Sequence, residues 1–346
     1  MLTRENYEIE HIRELRSKYK KDPGLLERVL YAFGLLEAIA QVGMPFVFKG
    51  GSCLMLMTDQ PRRLSTDIDI LVEPGTDIDR YIMEAAKIFP FKTYEEQKRL
   101  GKNHIEKRHF KFVYDSPLRN TEFYILLDVV FAESPYLVTI ERGIESSLLW
   151  NEGAPVSVTI PSPECILGDK LTAFAPHTTG VPLGVNKELE IIKQLYDVTT
   201  LTEVLSDQEA LKKTYDKAVA EELAYRGLEL RGEDVLRDTI RAAACIIGKG
   251  SVDKEEYPLY LRGIQALDSH VMDQRYSGEI AAHQACKTMY LAACLLMKQP
   301  FREIENPEKY IAASIGQSKY KKFSYMKKQK LESFGYLVEA VRLLEE

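Results

Sequence analysis

Asp67 and Asp69 stand two residues apart in the stretch Thr66-Asp67-Ile68-Asp69-Ile70-Leu71-Val72. On a β-strand that spacing turns both carboxylates to one face and the isoleucines to the other. Neighbouring like charges repel, so the pair is harmless on a solvated face and purposeful beside a divalent cation. Upstream, Gly50, Gly51 and Ser52 follow the apolar run Phe46-Val47-Phe48 and precede Leu54-Met55-Leu56-Met57. Glycines at such a place let backbone N–H groups at a helix start approach an anion, and a simple tight turn is the alternative. Asp128 is the third carboxylate, the single acid in Phe123–Phe131. In so apolar a strand it needs a cation, a hydrogen-bond network or a raised pKa, and a buried arginine would meet that need for purely structural reasons. Three carboxylates on neighbouring strands, with a glycine-serine turn able to hold a triphosphate, are what two-metal phosphoryl or nucleotidyl transfer requires.

The elements that must position these residues follow from periodicity. Residues 24–42 place Leu26, Val29, Leu30, Phe33, Leu36, Ile39 and Ala40 at helical spacing, with Pro23 at the start. After Gly43 the pattern predicts a strand through 46–49, the glycine turn, a short helix over the Leu-Met run, a loop at Pro61-Arg62-Arg63, and a strand over 66–74. Residues 78–89 read as helix, and 104–115 and 123–131 as strands, the second apolar enough to be central. Beyond Pro161 and Pro163 the segments 163–175, 187–202, 207–230, 233–248, 278–298 and 325–344 all carry helical spacing. The expected class is α+β: a mixed-sheet domain with N-terminal helices over 1–162, then an all-helical domain over 163–346. No repeat recurs along the chain, which argues against a solenoid.

Composition sets the outer limits. The chain has 346 residues, 45% hydrophobic and 28% charged, with 52 acidic residues against 46 basic ones and a net charge of −6. That balance suits a soluble two-domain protein and argues against an overall basic coat for nucleic acid. The longest apolar run, Met289–Met297, falls far short of the roughly 20 residues of a membrane span. The N-terminal residues lack the apolar core of a secretory signal, so a cytoplasmic protein without membrane association is expected. Five cysteines without a C-x-x-C pair read as reduced packing residues, not a zinc site.

Five stretches together, FKGGSCLML, RRLSTDIDIL, LLDVVF, ILGDKLTAF and KQLYDVTTL, resemble the AbiEii/AbiGii-type nucleotidyltransferase toxins of the DNA polymerase β-like superfamily. The resemblance covers about residues 25 to 205. It implies a nucleotidyltransferase domain followed by helices that close over the nucleotide, and transfer from a nucleoside triphosphate to an acceptor, expected to be the 3′ end of a transfer RNA. It assigns Asp67, Asp69 and Asp128 to Mg²⁺, with Mn²⁺ as the alternative, and gives Asp128 a share in taking the acceptor's proton. It places Lys49, Gly50, Gly51, Ser52, Arg63 and Ser65 at the nucleotide, together with Lys170, Lys193 and Asp197. Lys170 would offset charge on the triphosphate and also counts as catalytic. A cognate antitoxin is the implied protein partner. Gln194 departs from the family pattern, which has an aspartate there. Lys193 and Asp197, four apart on one helix face, could equally form an ordinary salt bridge. A small molecule or a protein hydroxyl as acceptor, or a non-catalytic nucleotide-binding module, are the competing functions.

Other residues carry less. Gly248-Lys249-Gly250-Ser251 lacks the P-loop pattern and reads as a turn. His177 reads as a loop cap, with nucleotide contact as the alternative. His104 and His109 fall in a polar strand and are expected in solvent. Residues 319–330 hold six lysines and no acid, with Tyr320, Phe323 and Tyr325 interleaved. They suit an RNA contact or, equally, a segment whose aromatics dock the following helix through Leu331, Phe334, Val338 and Val341.

Overall fold

The computed structural model describes residues 1–58, 60–97, 106–272 and 274–345. The chain divides into two compact units, Met1–Ser162 with Ser269–Gln274, and Pro163–Asp268 with Arg275–Glu346.

The first unit begins with helices α1 (Ile9–Tyr19) and α2 (Pro23–Gln41). Asp22 caps α2 by accepting from the Leu25 N–H at 2.8 Å, and Pro23 occupies the first turn, where its missing N–H costs nothing. The strands are β1 (Val47–Lys49), β2 (Ile68–Val72), β3 (Phe91–Gln97), β4 (Glu106–Ser116) and β5 (Thr121–Phe131), in the sheet order β1-β2-β5-β4-β3. β2 and β5 run parallel and the other neighbours antiparallel, so the sheet is mixed. Helix α2 packs against β2 and β5. Alternation gives the sheet one apolar face: Phe48, Ile68, Ile70, Leu127, Val129, Phe110 and Phe112 are all buried. Tyr31 of α2 stacks on Tyr114 of β4 at 3.6 Å between ring centres. Two short helices, α3 (Gly50–Cys53) and α4 (Asp79–Ala85), and a separate β6 (Thr139–Gly143) and β7 (Ser157–Pro161) ribbon complete this unit.

In the first unit three features depart from the expected elements. α3 contains the glycines themselves, and Leu54–Leu56 continue as a single 3₁₀ turn. β3, β6 and β7 are strands that the pattern did not predict; the burial of β3, with exposed Lys92, Thr93, Glu95 and Glu96, shows why, since a polar edge strand has no strict alternation to read. Residues 269–274, which fall inside the range 163–346 expected to form the helical domain, belong to the first unit. The Leu64 N–H donates to the His270 carbonyl at 2.9 Å and the Met272 N–H to the Arg62 carbonyl at 2.8 Å.

The second unit is helical: α5 (Pro163–Ala173), α6 (Glu188–Thr202), α7 (Gln208–Arg226), α8 (Gly232–Gly248), α9 (Tyr257–Leu267), α10 (Gly278–Leu296), α11 (Met326–Gln329) and α12 (Leu331–Glu345). α10 carries Met289–Leu296 of the longest apolar run almost wholly in the core, with Met297 exposed as its cap, and packs on α8 and α12. Lys249 takes a left-handed conformation, φ 47°, as the C-terminal cap of α8, so the Gly-Lys-Gly-Ser sequence is a helix stop. The five cysteines are buried and unpaired with one another. Among the described residues no helix is long and apolar enough to cross a membrane.

Candidate active site

Strand register, which is non-local, assembles the site. Lys49 pairs with Asp69, Asp69 with Asp128, and Asp128 with His109, so the four residues form one row across β1, β2, β5 and β4. Phe48, Ile68, Ile70, Leu127, Val129 and Phe110, their neighbours along the strands, are buried in the apolar core, which turns the row to the sheet's opposite, half-open face. Asp128 therefore does not sit inside the apolar layer: its side chain is 31% exposed, and it meets His109 Nδ1 at 2.5 Å. That histidine was expected in solvent, and its side chain is only 14% exposed. The correction follows from pairing, because a polar residue on β4 is withdrawn from water when its cross-strand neighbour is a carboxylate. His104, the other histidine of that stretch, lies outside the described residues.

The glycine loop is shaped around the same row. Gly50 has φ +78°, and a Cβ there would lie 2.2 Å from Asp69 Oδ2. A Cβ on Gly51 would lie 2.7 Å from Arg63 Nη2 and 2.9 Å from Ser65 Oγ. Gly50 is thus demanded by close approach and by its left-handed backbone, whereas a side chain at Gly51 would require Arg63 and Ser65 to move. Ser52 is buried and donates its hydroxyl to the Asp67 carbonyl at 2.6 Å, so it braces the start of β2. Arg63 is buried too, and Arg63 and Val271 form a bridge between the Arg-x-Ser segment and residues 269–274.

Asp67 meets Arg28 Nη2 of α2 at 3.4 Å. Among the described residues, no group of three or more His, Cys, Asp or Glu side chains is gathered so that it could hold a metal ion. The donor set nevertheless suits a divalent cation in kind: Asp67, Asp69 and Asp128 offer hard carboxylate oxygens from adjacent strands, and Gly50 leaves space for the Asp69 carboxylate. Arg28 and His109 each contact one of those carboxylates. His109 was expected in solvent, and Arg28 was not singled out from sequence. Arg28 had a readable signal, as the single basic residue in the apolar helix α2.

In the helical unit, Lys170 of α5 and Asp197 of α6 form a buried ion pair at 3.0 Å, with side chains 8% and 1% exposed. Lys193 pairs with Glu190 at 2.9 Å, in place of the Asp197 partner its spacing allowed. Gln194 has a buried Oε1 without a hydrogen-bond partner among the described residues.

The model of the nucleotidyl transferase AbiEii toxin family, a type IV toxin–antitoxin system, matches residues 34–289, more than half of the chain. The chain belongs to the AbiEii nucleotidyltransferase family. No curated protein matches it. Among solved structures, JHP933 from Helicobacter pylori is similar at 14% identity and a TM-score of 0.43, over 79% of this chain and 93% of that one. A second, "putative nucleotidyltransferase from H. pylori", is similar at 15% identity and a TM-score of 0.47, over 80% and 99%.

For this AbiEii member, the match extends past the sequence stretches that carried the resemblance and takes in α7, α8, α9 and most of α10. His177 lies within it. Its backbone N–H and Nδ1 meet the two carboxylate oxygens of Asp238, at 2.8 and 2.5 Å, and Nε2 meets Glu256 Oε1 at 3.0 Å. The histidine thus pins the loop after α5 to α8 and to the residue before α9. Its hydrogen bond to Asp238 raises its pKa above the ordinary 6.5, against the opposing effect of burial. A raised pKa means stability that is full below about 6.5 and is lost as pH rises through the higher folded value. Urea unfolding midpoints of the wild type should fall over that window above pH 6.5, whereas His177→Gln should show a flatter profile. Parallel profiles would mean that the imidazole is not charged in the folded protein.

Proposed function

We propose that this chain transfers a nucleotide from a nucleoside triphosphate to the 3′ end of an RNA, a transfer RNA in the first instance, with pyrophosphate released, and acts as the toxin of a toxin–antitoxin pair with a cognate antitoxin. The observation that carries the reading is the row Lys49, Asp69, Asp128 and His109 with the glycine loop closed against it. A family of nucleotidyltransferases supplies the reaction class.

Asp67, Asp69 and Asp128 would hold Mg²⁺, with Mn²⁺ as the substitute. When bound, the metal supplies charge stabilisation for the transferring phosphoryl group and lowers the pKa of an oxygen nucleophile. The chain's own residues do the remainder. Asp128 accepts the proton of the attacking hydroxyl, and His109, bound to its Oδ1, fixes the carboxylate's orientation. Lys49, beside Asp69 in register, meets the phosphates. Gly50 and Gly51 keep the loop within reach of the carboxylates, and Ser52, Arg63 and Ser65 hold that loop in place. Lys170 offsets triphosphate charge and Asp197 positions it; this role rests on the family motif. Lys193 is engaged by Glu190 and is the weakest of the nucleotide-binding assignments.

Incubation of the protein with each α-labelled nucleoside triphosphate, Mg²⁺ and total RNA tests the reading. The expected product is a labelled RNA of transfer-RNA size that requires one of the four triphosphates. Label in a small molecule or a protein instead of RNA would overturn the RNA acceptor, and label nowhere would overturn the transfer.

A further inference from the structure

A cavity of about 530 Å³ lies within the helical unit, apart from every residue assigned above. Its floor is apolar, made by Ile240 and Ala244 of α8, Leu296 of α10 and Phe323. Its rim is basic. Arg237 and Arg241, four apart on α8, and Lys319 and Lys322 line it; of the described residues that line it, none is acidic. On a chain of net charge −6 this is a local reversal of sign.

The rim groups differ in how far they are committed. Arg241 is held by Glu256, the same carboxylate that takes His177 Nε2. Arg237, Lys319 and Lys322 are exposed residues; Lys322 Nζ rests on the Ser251 carbonyl at 3.4 Å and Lys319 Nζ lies over the Tyr320 ring. The aromatics of the basic segment are otherwise spent on packing. Tyr320, at 8% exposure, and Phe323, at 2%, are buried, and the Tyr325 hydroxyl donates to the Ile247 carbonyl at 2.6 Å. They cannot form an open stacking platform, so recognition here needs a hollow with an apolar floor. Lys321 and Lys328 continue the positive charge beyond the cavity, as exposed residues of the same segment, while Lys330 is paired with Glu332 at 3.2 Å.

We infer that this cavity seats one unpaired nucleotide of an RNA strand, its base on the Ile240, Leu296 and Phe323 floor and its flanking phosphates on Arg237, Lys319 and Lys322. The volume is in the range that holds one small organic group, and an apolar floor under a cationic rim matches a flat base joined to an anion. The charge that runs on past the rim selects a strand over a free mononucleotide. The inference rests on the reading that RNA is the acceptor, and it adds a second place on the chain where that RNA is held.

The test uses the full chain and a fluorescein-labelled single-stranded oligoribonucleotide, with anisotropy read across a salt series. The triple variant Arg237→Gln, Lys319→Gln, Lys322→Gln changes exposed residues only. It should bind about tenfold more weakly and with a shallower salt slope, as expected when phosphate contacts are lost. Val252→Trp fills the cavity from an exposed rim position and should weaken binding without flattening that slope. A perfectly paired RNA duplex of the same length should bind less well than the single strand, and AMP should compete poorly. Unchanged affinity and slope in the triple variant, or equal binding of the duplex, would overturn the cavity assignment. If the wild type labels RNA in the transfer assay while these variants bind normally, the cavity assignment alone fails. A wild type that neither labels nor binds RNA takes the acceptor reading down with it.

Discussion

Asp69→Asn is expected to abolish nucleotide transfer and leave the unfolding midpoint close to that of the wild type. Asp69 sits at the centre of the row, with Lys49 on one side and Asp128 on the other, and Gly50 keeps its backbone clear of the carboxylate. The substitution preserves shape and hydrogen-bonding capacity and removes the charge that a divalent cation requires. Loss of several kcal/mol of charge stabilisation corresponds to a rate reduction of roughly a thousandfold or more. Stability should barely move, because Asp69 is half-buried and one fewer negative charge stands beside Asp67 and Asp128. His109→Gln should give a smaller loss, since Asp128 keeps its charge and loses only the group that orients it. The measurement is single-turnover transfer with a matched thermal melt. Transfer retained in Asp69→Asn would remove the carboxylate row from the chemistry, and a large drop in midpoint would make the row a structural feature.

How much of this site was legible depends on how local each relation is. Alternation alone places Asp67 and Asp69 on one face, because a period of two is a property of the strand itself. The meeting of Asp69 with Asp128, and of Asp128 with His109, depends on the order β2-β5-β4 and its register. Spacing along the chain carries neither, so His109 read as a solvated residue on a polar strand. Asp128 drew attention because its strand is apolar, and the structure gives that pattern its reason: its apolar neighbours face the core while it faces out. The long helices of the second unit were legible from their periodicity, whereas α9, an 11-residue helix opening on Tyr257-Pro258, was not. Nothing in residues 269–274 announces that their backbone pairs with 62–64, since that pairing is made by carbonyl and N–H groups common to every residue. The glycines were legible as special and ambiguous in purpose; only the position of Asp69 shows that Gly50 is required by close approach, and only those of Arg63 and Ser65 show what Gly51 leaves room for.

Lys170→Met should unfold the protein more easily by about 3–5 kcal/mol, because it leaves the Asp197 carboxylate buried without its lysine at 1% exposure. Asp197→Leu should cost a similar amount for the mirror-image reason. The double variant Lys170→Met, Asp197→Leu should recover most of that loss, since two apolar side chains of similar volume can replace a buried ion pair at little net cost. This cycle separates the two roles that the family motif and the ion pair assign to Lys170. If the lysine also offsets charge on the triphosphate, the double variant will regain stability without regaining transfer or nucleotide affinity. Denaturant midpoints read the first quantity, and transfer at saturating and limiting triphosphate reads the second. Transfer that returns together with stability would confine Lys170 and Asp197 to holding α5 against α6. In that event the nucleotide would have to be met by Lys49 and the glycine loop, and Lys49→Gln would become the variant that loses affinity.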